Sequence, residues 1–278
     1  MPSRDGAWRA LLREALARTH ALNLAYHLRD LWRSVADIGR NREVGADGLS
    51  IPSPNLIHLV AGTPESAWFL QGGRLAAESI RQALAGNGVD LDSLRSVLDF
   101  GCGCGRVVRN WVNLPAEVHG SDTNGRLIRW CRSNLPFATF ATNRSHPPLP
   151  YGEGQFELVY ALSVFTHLPE HMQRPWMDEL HRVTKPGGYV LLSLHGERYL
   201  PDLTPDERRR FEAGELVVRG GDAPGRNECG AYHPAAYVQK VLAAGFRLID
   251  HVPEGAKGNP HQDLVVLRKE RVPSDPGV

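Results

Sequence analysis

The 278-residue chain has no apolar stretch approaching 18 residues, so no membrane-spanning helix is expected. Its first residues, Met1 to Trp8, lack the apolar core of a secretory signal, so none is expected there. An excess of one charge is missing too: 32 Lys and Arg face 31 Asp and Glu, and the basic residues are scattered rather than grouped. Such a balance offers no surplus for a phosphate backbone or an anionic surface, so neither nucleic acid nor membrane is expected as a partner. Cysteine is scarce, with four residues. Cys102 and Cys104 lie one residue apart in a glycine-rich loop, which suits neither a mutual bridge nor a zinc knuckle. A reduced, cytoplasmic setting without a resident metal is the expectation.

What is present is ordinary globular material, 42% apolar and 23% charged, enough for one substantial core. From Ala7 to about Arg40, Leu24, Leu28, Leu31, Trp32, Val35 and Ile38 recur at helical spacing. This predicts amphipathic helices packed on the core, or a lid or dimerisation element, which leaves a homodimer open. The stretch from Gly45 to Pro64 reads as a connecting loop, and Gly73 to Leu84 as a helix stopped at Gly86. From Ser96 the pattern alternates. Strands are predicted at 96–100, 117–121, 137–142, 156–161 and 189–194, with helices at 106–114, 125–133 and 170–184. Alternation of this kind implies a parallel, doubly wound α/β sheet. The tail after His195 is less regular, with a helix from Pro234 to Ala244 and antiparallel neighbouring strands at 246–252 and 264–267. The expected division is a helical extension over 1–90, a cofactor-binding domain over 91–270 and a flexible tail over 271–278.

The stretch Asp99-Phe-Gly101-Cys102-Gly103-Cys104-Gly105 follows a strand and precedes a predicted helix. Alternating glycines let the main chain approach a ligand with no Cβ in the way. Asp122, at the tip of the next strand, can accept hydrogen bonds from both hydroxyls of a ribose. Two adenosine cofactors fit. A dinucleotide site needs glycine or alanine where Arg106 stands, and an acid at Asp99 repels phosphates. Asp99 suits a ligand end carrying ammonium and sulfonium, which favours S-adenosylmethionine over NAD.

The residues Val97–Arg106, Asp122, Phe156–Tyr160, Ser163–Leu168 and Glu179–Gly188, in this order, resemble the class I S-adenosylmethionine-dependent methyltransferases. The closing Asp263–Arg268 resembles the antiparallel last strand of that fold. The resemblance implies a Rossmann-like, doubly wound, mostly parallel seven-stranded sheet. It also implies S-adenosylmethionine as cofactor and S-adenosylhomocysteine as product. Asp99, Gly101, Cys102, Gly103 and Gly105 would line the amino-acid end, Asp122 the ribose and Asn143 the adenine amine. Ala161, with Leu162, would touch the cofactor at the end of the fourth strand.

Methyl transfer needs alignment and exclusion of water above all, with a general base only when the acceptor arrives protonated. The end of the fourth strand, Tyr160-Ala-Leu-Ser163, carries no Pro-Pro-aromatic motif, no Pro-Cys nucleophile and no acid for Mg²⁺. The expected acceptor is therefore a small molecule or biosynthetic intermediate, methylated on N or O. His167 and His195 follow the fourth and fifth strands on the ligand side, where a base or positioning group would sit. The alternative for His167 is a cap on the helix at Glu170. Tyr199, Tyr232, His233 and Gln262 belong to the tail that would cover the acceptor, while Cys102 and Cys104 read as small fillers rather than nucleophiles. Aminocarboxypropyl transfer, cyclisation, a non-catalytic cofactor-binding partner and an NAD-dependent oxidoreductase stay open.

Overall fold

The computed structural model describes residues 43–221, 225, 229–259 and 261–271. The expected helices within 7–40, and all but Arg271 of the expected tail, lie outside the described residues.

A single sheet organises the described residues. Its strands are β1 (Ser96–Phe100), β2 (Glu117–Asp122), β3 (Ala138–Thr142), β4 (Phe156–Ala161), β5 (Thr184–His195), β6 (Val217–Arg219), β7 (Gly230–Tyr232), β8 (Phe246–Val252) and β9 (Gln262–Lys269). β3, β2, β1, β4 and β5 are parallel neighbours in that order. β9 pairs antiparallel with the far edge of β5, and β8 antiparallel with β9. These seven strands are the doubly wound α/β sheet with an antiparallel last strand that the sequence implied. All five residues of β1 are buried, as a central parallel strand covered on both faces requires.

The helices are α1 (Pro54–Ala61), α2 (Ser66–Gly86), α3 (Gly125–Asn134), α4 (Glu170–Val183), α5 (Pro205–Glu212) and the short α6 (Ala235–Tyr237), which runs on into a π turn at Val238–Leu242. α4 buries Met172, Trp176, Met177, Leu180 and Val183 along one stripe, while Arg174 and Asp178 pair on its wet side. That stripe packs with Phe100, Val159 and Val190 on one face of the sheet. Ala76, Ile80 and Leu84 of α2 and Ile128 of α3 pack with Val97, Leu158 and Leu191 on the other.

Four expectations need correction. The predicted helix over 106–114 is a short 3-10 turn at Val108–Trp111. Val107, Val108 and Val112 are stiff β-branched residues, and the Asn110 side chain donates to the carbonyls of Arg106 and Val107, which competes with α-helical bonding. The connecting loop over 45–64 contains α1, with Pro54 in its first turn and the left-handed Gly62 as its C-cap. α2 begins at Ser66, well before Gly73, because Gly72 and Gly73 pack closely against the loop after β1, where a Cβ at Gly73 would meet the Arg106 carbonyl. Finally, the irregular tail holds β6 and β7, an antiparallel pair that joins the sheet beside the end of β5 through His195 and Tyr232. The described residues thus form nine strands rather than seven.

Candidate active site

The carboxyl ends of β1, β2, β3 and β4 lie side by side, and the loops leaving them gather the residues singled out for a cofactor. After β1 the chain turns on Gly101, Gly103 and Gly105 at φ 82°, 56° and 75°, left-handed values that favour glycine. The N–H groups of Gly101 and Cys102 donate to the Ser121 carbonyl at 2.8 and 3.0 Å, so the loop folds back over β2. A Cβ at Gly101 would run into Val164, and one at Gly103 into Val60 of α1. The loop is therefore approached closely from two sides.

Asp122 closes β2. Its Oδ2 accepts from Gly103 N at 3.0 Å and its Oδ1 from Asn124 N at 2.7 Å. Burial pushes its pKa up, and these two hydrogen bonds oppose that. Each oxygen keeps a further lone pair, so two vicinal hydroxyls can still be accommodated. Asn143 follows β3 and is buried; its Nδ2 donates to the Arg144 carbonyl at 2.8 Å, while its Oδ1 is buried without a partner. An orphan acceptor of this kind costs about 1–3 kcal/mol unless a ligand donor meets it. An exocyclic amine such as that of adenine fits.

Asp99 is buried, and its Oδ2 accepts from the Tyr160 hydroxyl at 3.0 Å, which in turn accepts from Trp111 Nε1 at 2.8 Å. Burial raises its pKa to about 7, opposed by Tyr160 and by the Arg106 guanidinium and reinforced by Asp122. One oxygen is thus committed to a structural tie, and Asp99 would act on a bound cation with its remaining charge. Arg106 is itself buried and donates to Gly258 O at 3.1 Å and to Asn259 Oδ1. Cys102 and Cys104 are buried with thiols pushed upward by burial, consistent with fillers. Ala161 ends β4, fully buried beside Leu162.

Next along the sheet, His195 ends β5, half-buried. Its Nδ1 lies 3.2 Å from the Ala231 carbonyl, and its ring stacks on Tyr199 and Tyr232 with centroids at 4.3 and 5.3 Å. A carbonyl can only accept, so Nδ1 carries the proton and Nε2 the lone pair. Burial, and secondarily nearby His167, lowers its pKa to about 4, so the ring is neutral at physiological pH. His167 sits in the 3-10 turn Phe165–His167, its Nδ1 2.7 Å from the Cys229 carbonyl and its own carbonyl accepting from Gly225 N. It ties down the segment that carries β6 and β7. His233 is buried with Nε2 3.3 Å from Gln173 Oε1, and burial lowers its pKa to about 3, so the ring is neutral. Sequence reasoning missed Tyr160 and Ser163. The first carries no signal beyond being a tyrosine in a strand; the second depends on Ser193 and Gln262, far along the chain.

This geometry matches an adenosine cofactor with an amino-acid end, and comparison with other proteins agrees. A family model for a methyltransferase domain matches residues 97–188. An uncharacterised methyltransferase of Synechocystis is 31% identical over 102 residues, covering 36% of this chain and 48% of that protein. Residues 97–188 are thus similar to known methyltransferase domains. A tRNA N(3)-methylcytidine methyltransferase of Drosophila melanogaster is 27% identical over 135 residues, covering 44% of this chain and 39% of that protein. This chain thus matches less than half the length of either relative. The crystal structure of an S-adenosylmethionine-dependent methyltransferase from Mesorhizobium loti shares the fold, with TM-score 0.51 and 18% identity over 68% of this chain and 97% of that one. Among the described residues, no helix is long and apolar enough to cross a membrane.

Proposed function

We propose that the protein transfers the methyl group of S-adenosylmethionine to nitrogen or oxygen of a small acceptor bound beside the ends of β4 and β5. When bound, the sulfonium supplies an electrophilic methyl group. Asp122 would hold the ribose, Asn143 the adenine amine, and the loop Asp99–Gly105, Cys102 included, the amino-acid end, with Ala161 against the cofactor's flank. His195 would take the acceptor's proton on Nε2, and His167 would keep the covering segment in position. The observation that carries the reading is the run of cofactor-suited groups on β1 to β4 ending next to a neutral histidine whose free lone pair is fixed by Ala231.

A small acceptor is favoured over tRNA by the near-zero charge balance, which supplies no cationic track for phosphates. Incubation with methyl-labelled S-adenosylmethionine and separate metabolite and RNA fractions tests this. Label is expected in the metabolite fraction, with S-adenosylhomocysteine formed in equal amount. Label in the RNA fraction, or methylthioadenosine as the by-product, contradicts it.

A further inference from the structure

We propose that Ser163 is a dedicated hydrogen-bond donor in the acceptor crevice, and that with His195 it selects acceptors bearing an oxygen lone pair beside the nucleophilic O–H or N–H. The inference rests on the methyl-transfer reading above and names its substrate class.

Ser163 lies two residues beyond β4 at φ 60°, a left-handed conformation uncommon for a residue with a Cβ. Such outliers gather at functional sites, where surrounding structure enforces them. Here the enforcement is a ring of three hydrogen bonds drawn from the loop after β4 and from β5 and β9. Ser163 N–H donates to Ser193 Oγ at 2.7 Å, the Ser193 hydroxyl donates to Gln262 Oε1 at 2.7 Å, and Gln262 Nε2 donates to Ser163 Oγ at 2.8 Å. The direction is forced from one end. Ser193 is fully buried and takes the Ser163 N–H, so its own proton is satisfied by the glutamine carbonyl; the reversed amide would strand that proton, and the glutamine amine therefore faces Ser163. The Ser163 hydroxyl proton is left with only Thr166 Oγ1 at 3.4 Å, a long contact that a closer ligand acceptor would displace.

Ser193 and Gln262 are buried, whereas Ser163 is half-exposed, so the surplus proton belongs to the crevice. Gln262 stands directly opposite His195 in the β5–β9 register, and Ser193 precedes His195 by two, so all three side chains emerge on one face. Gln262, which bonds Ser163 and stands opposite His195, thus brings the donor on Ser163 and the lone-pair-bearing ring of His195 to neighbouring positions. A purely structural tie between the strands would need neither the left-handed backbone nor an unspent proton.

The test uses wild-type protein saturated with S-adenosylhomocysteine and three probes titrated by NMR: salicylate, benzoate and phenol. Salicylate carries both features and the others one each. Salicylate is expected to bind about 10-fold tighter than either, and Ser163→Ala to reduce it to the phenol level while leaving phenol within about twofold, as loss of one hydrogen bond implies. Ser163→Gly, which also relieves the backbone, should do the same, so a poorly folded alanine variant, detected by thermal melting, does not decide the matter. Gln262→Glu should reproduce the loss with the serine still present, because a carboxylate accepts from both serines and draws the Ser163 proton inward. The proposal is overturned if salicylate binds no better than phenol, or if Ser163→Gly and Gln262→Glu leave its affinity unchanged. A wild-type protein that fails to bind S-adenosylhomocysteine overturns the methyl-transfer reading, and this inference with it.

Discussion

The two halves of the crevice are built from different materials. On the side of β1 to β3 the ligand-facing surface is main chain and short side chains: three left-handed glycines, a carboxylate bonded to the loop's own N–H, and an amide with an unspent acceptor. On the side of β5 it is made of rings and hydroxyls, His195, Tyr199, Tyr232 and Ser163, partly carried by a segment inserted after β5. On the proposed reading, a cofactor that never changes would be served by backbone geometry and an acceptor particular to one enzyme by side chains.

The halves should separate under mutation. The largest effect expected is on turnover: His195→Gln should lower kcat by roughly 10²–10⁴-fold if it is the base, with S-adenosylhomocysteine affinity within about twofold of wild type. A matching loss of cofactor affinity in calorimetry would erase the distinction. Asp122→Ala should do the reverse, weakening cofactor binding by about 100-fold or more through the loss of two charge-assisted hydrogen bonds.

pH should divide the halves as well. A carboxylate attracts the cationic end of the cofactor only when ionised, and Asp99 has a pKa near 7. Cofactor affinity should therefore fall as pH drops from 8 to 6, approaching about tenfold per unit at most. His195 must be neutral to accept a proton and has a pKa near 4, so kcat at saturating cofactor should stay level down to about pH 5. Coincident limbs in the two profiles would contradict this division. Asn143→Ala should cost less, about 10-fold in cofactor affinity by calorimetry.

The smallest effect concerns the inserted segment. Arg219 lies over the Tyr232 ring at 5.4 Å and pairs with Glu207, whose pKa that pairing lowers to about 2. Both partners are partly exposed, so Arg219→Ala should change stability by only about 0–1 kcal/mol in a thermal melt. A larger loss would mean that the insertion, like the glycine loop, is held by buried structure.

The same contrast explains what could be read from sequence. β1 and β4 fall at the expected residues because each is a short hydrophobic segment with abrupt ends, and β8 because Gly245 and Pro253 bound it. Asp99, the three glycines and Asp122 announce themselves through spacing within one strand-loop-strand unit. Asn143 required only the end of β3. The 3-10 turn after the loop was hidden because the competing bonds of Asn110 to the Arg106 and Val107 carbonyls show only in the folded backbone. Ser163 could not be found locally: its left-handed backbone follows from Ser193 and Gln262, which lie 30 and 99 positions away along the chain. The β6–β7 pair was equally illegible, being two three-residue strands held by contacts with the end of β5 and by His167.

The central claim is that the glycine loop and Asp122 hold an adenosine sulfonium cofactor. Titration calorimetry of S-adenosylhomocysteine against wild type and Asp122→Ala tests it most directly. One-to-one binding to wild type, lost or weakened at least about 100-fold in a variant that still melts cooperatively, is the predicted result. No heat of binding to wild type, or equal affinity in the two proteins, contradicts it.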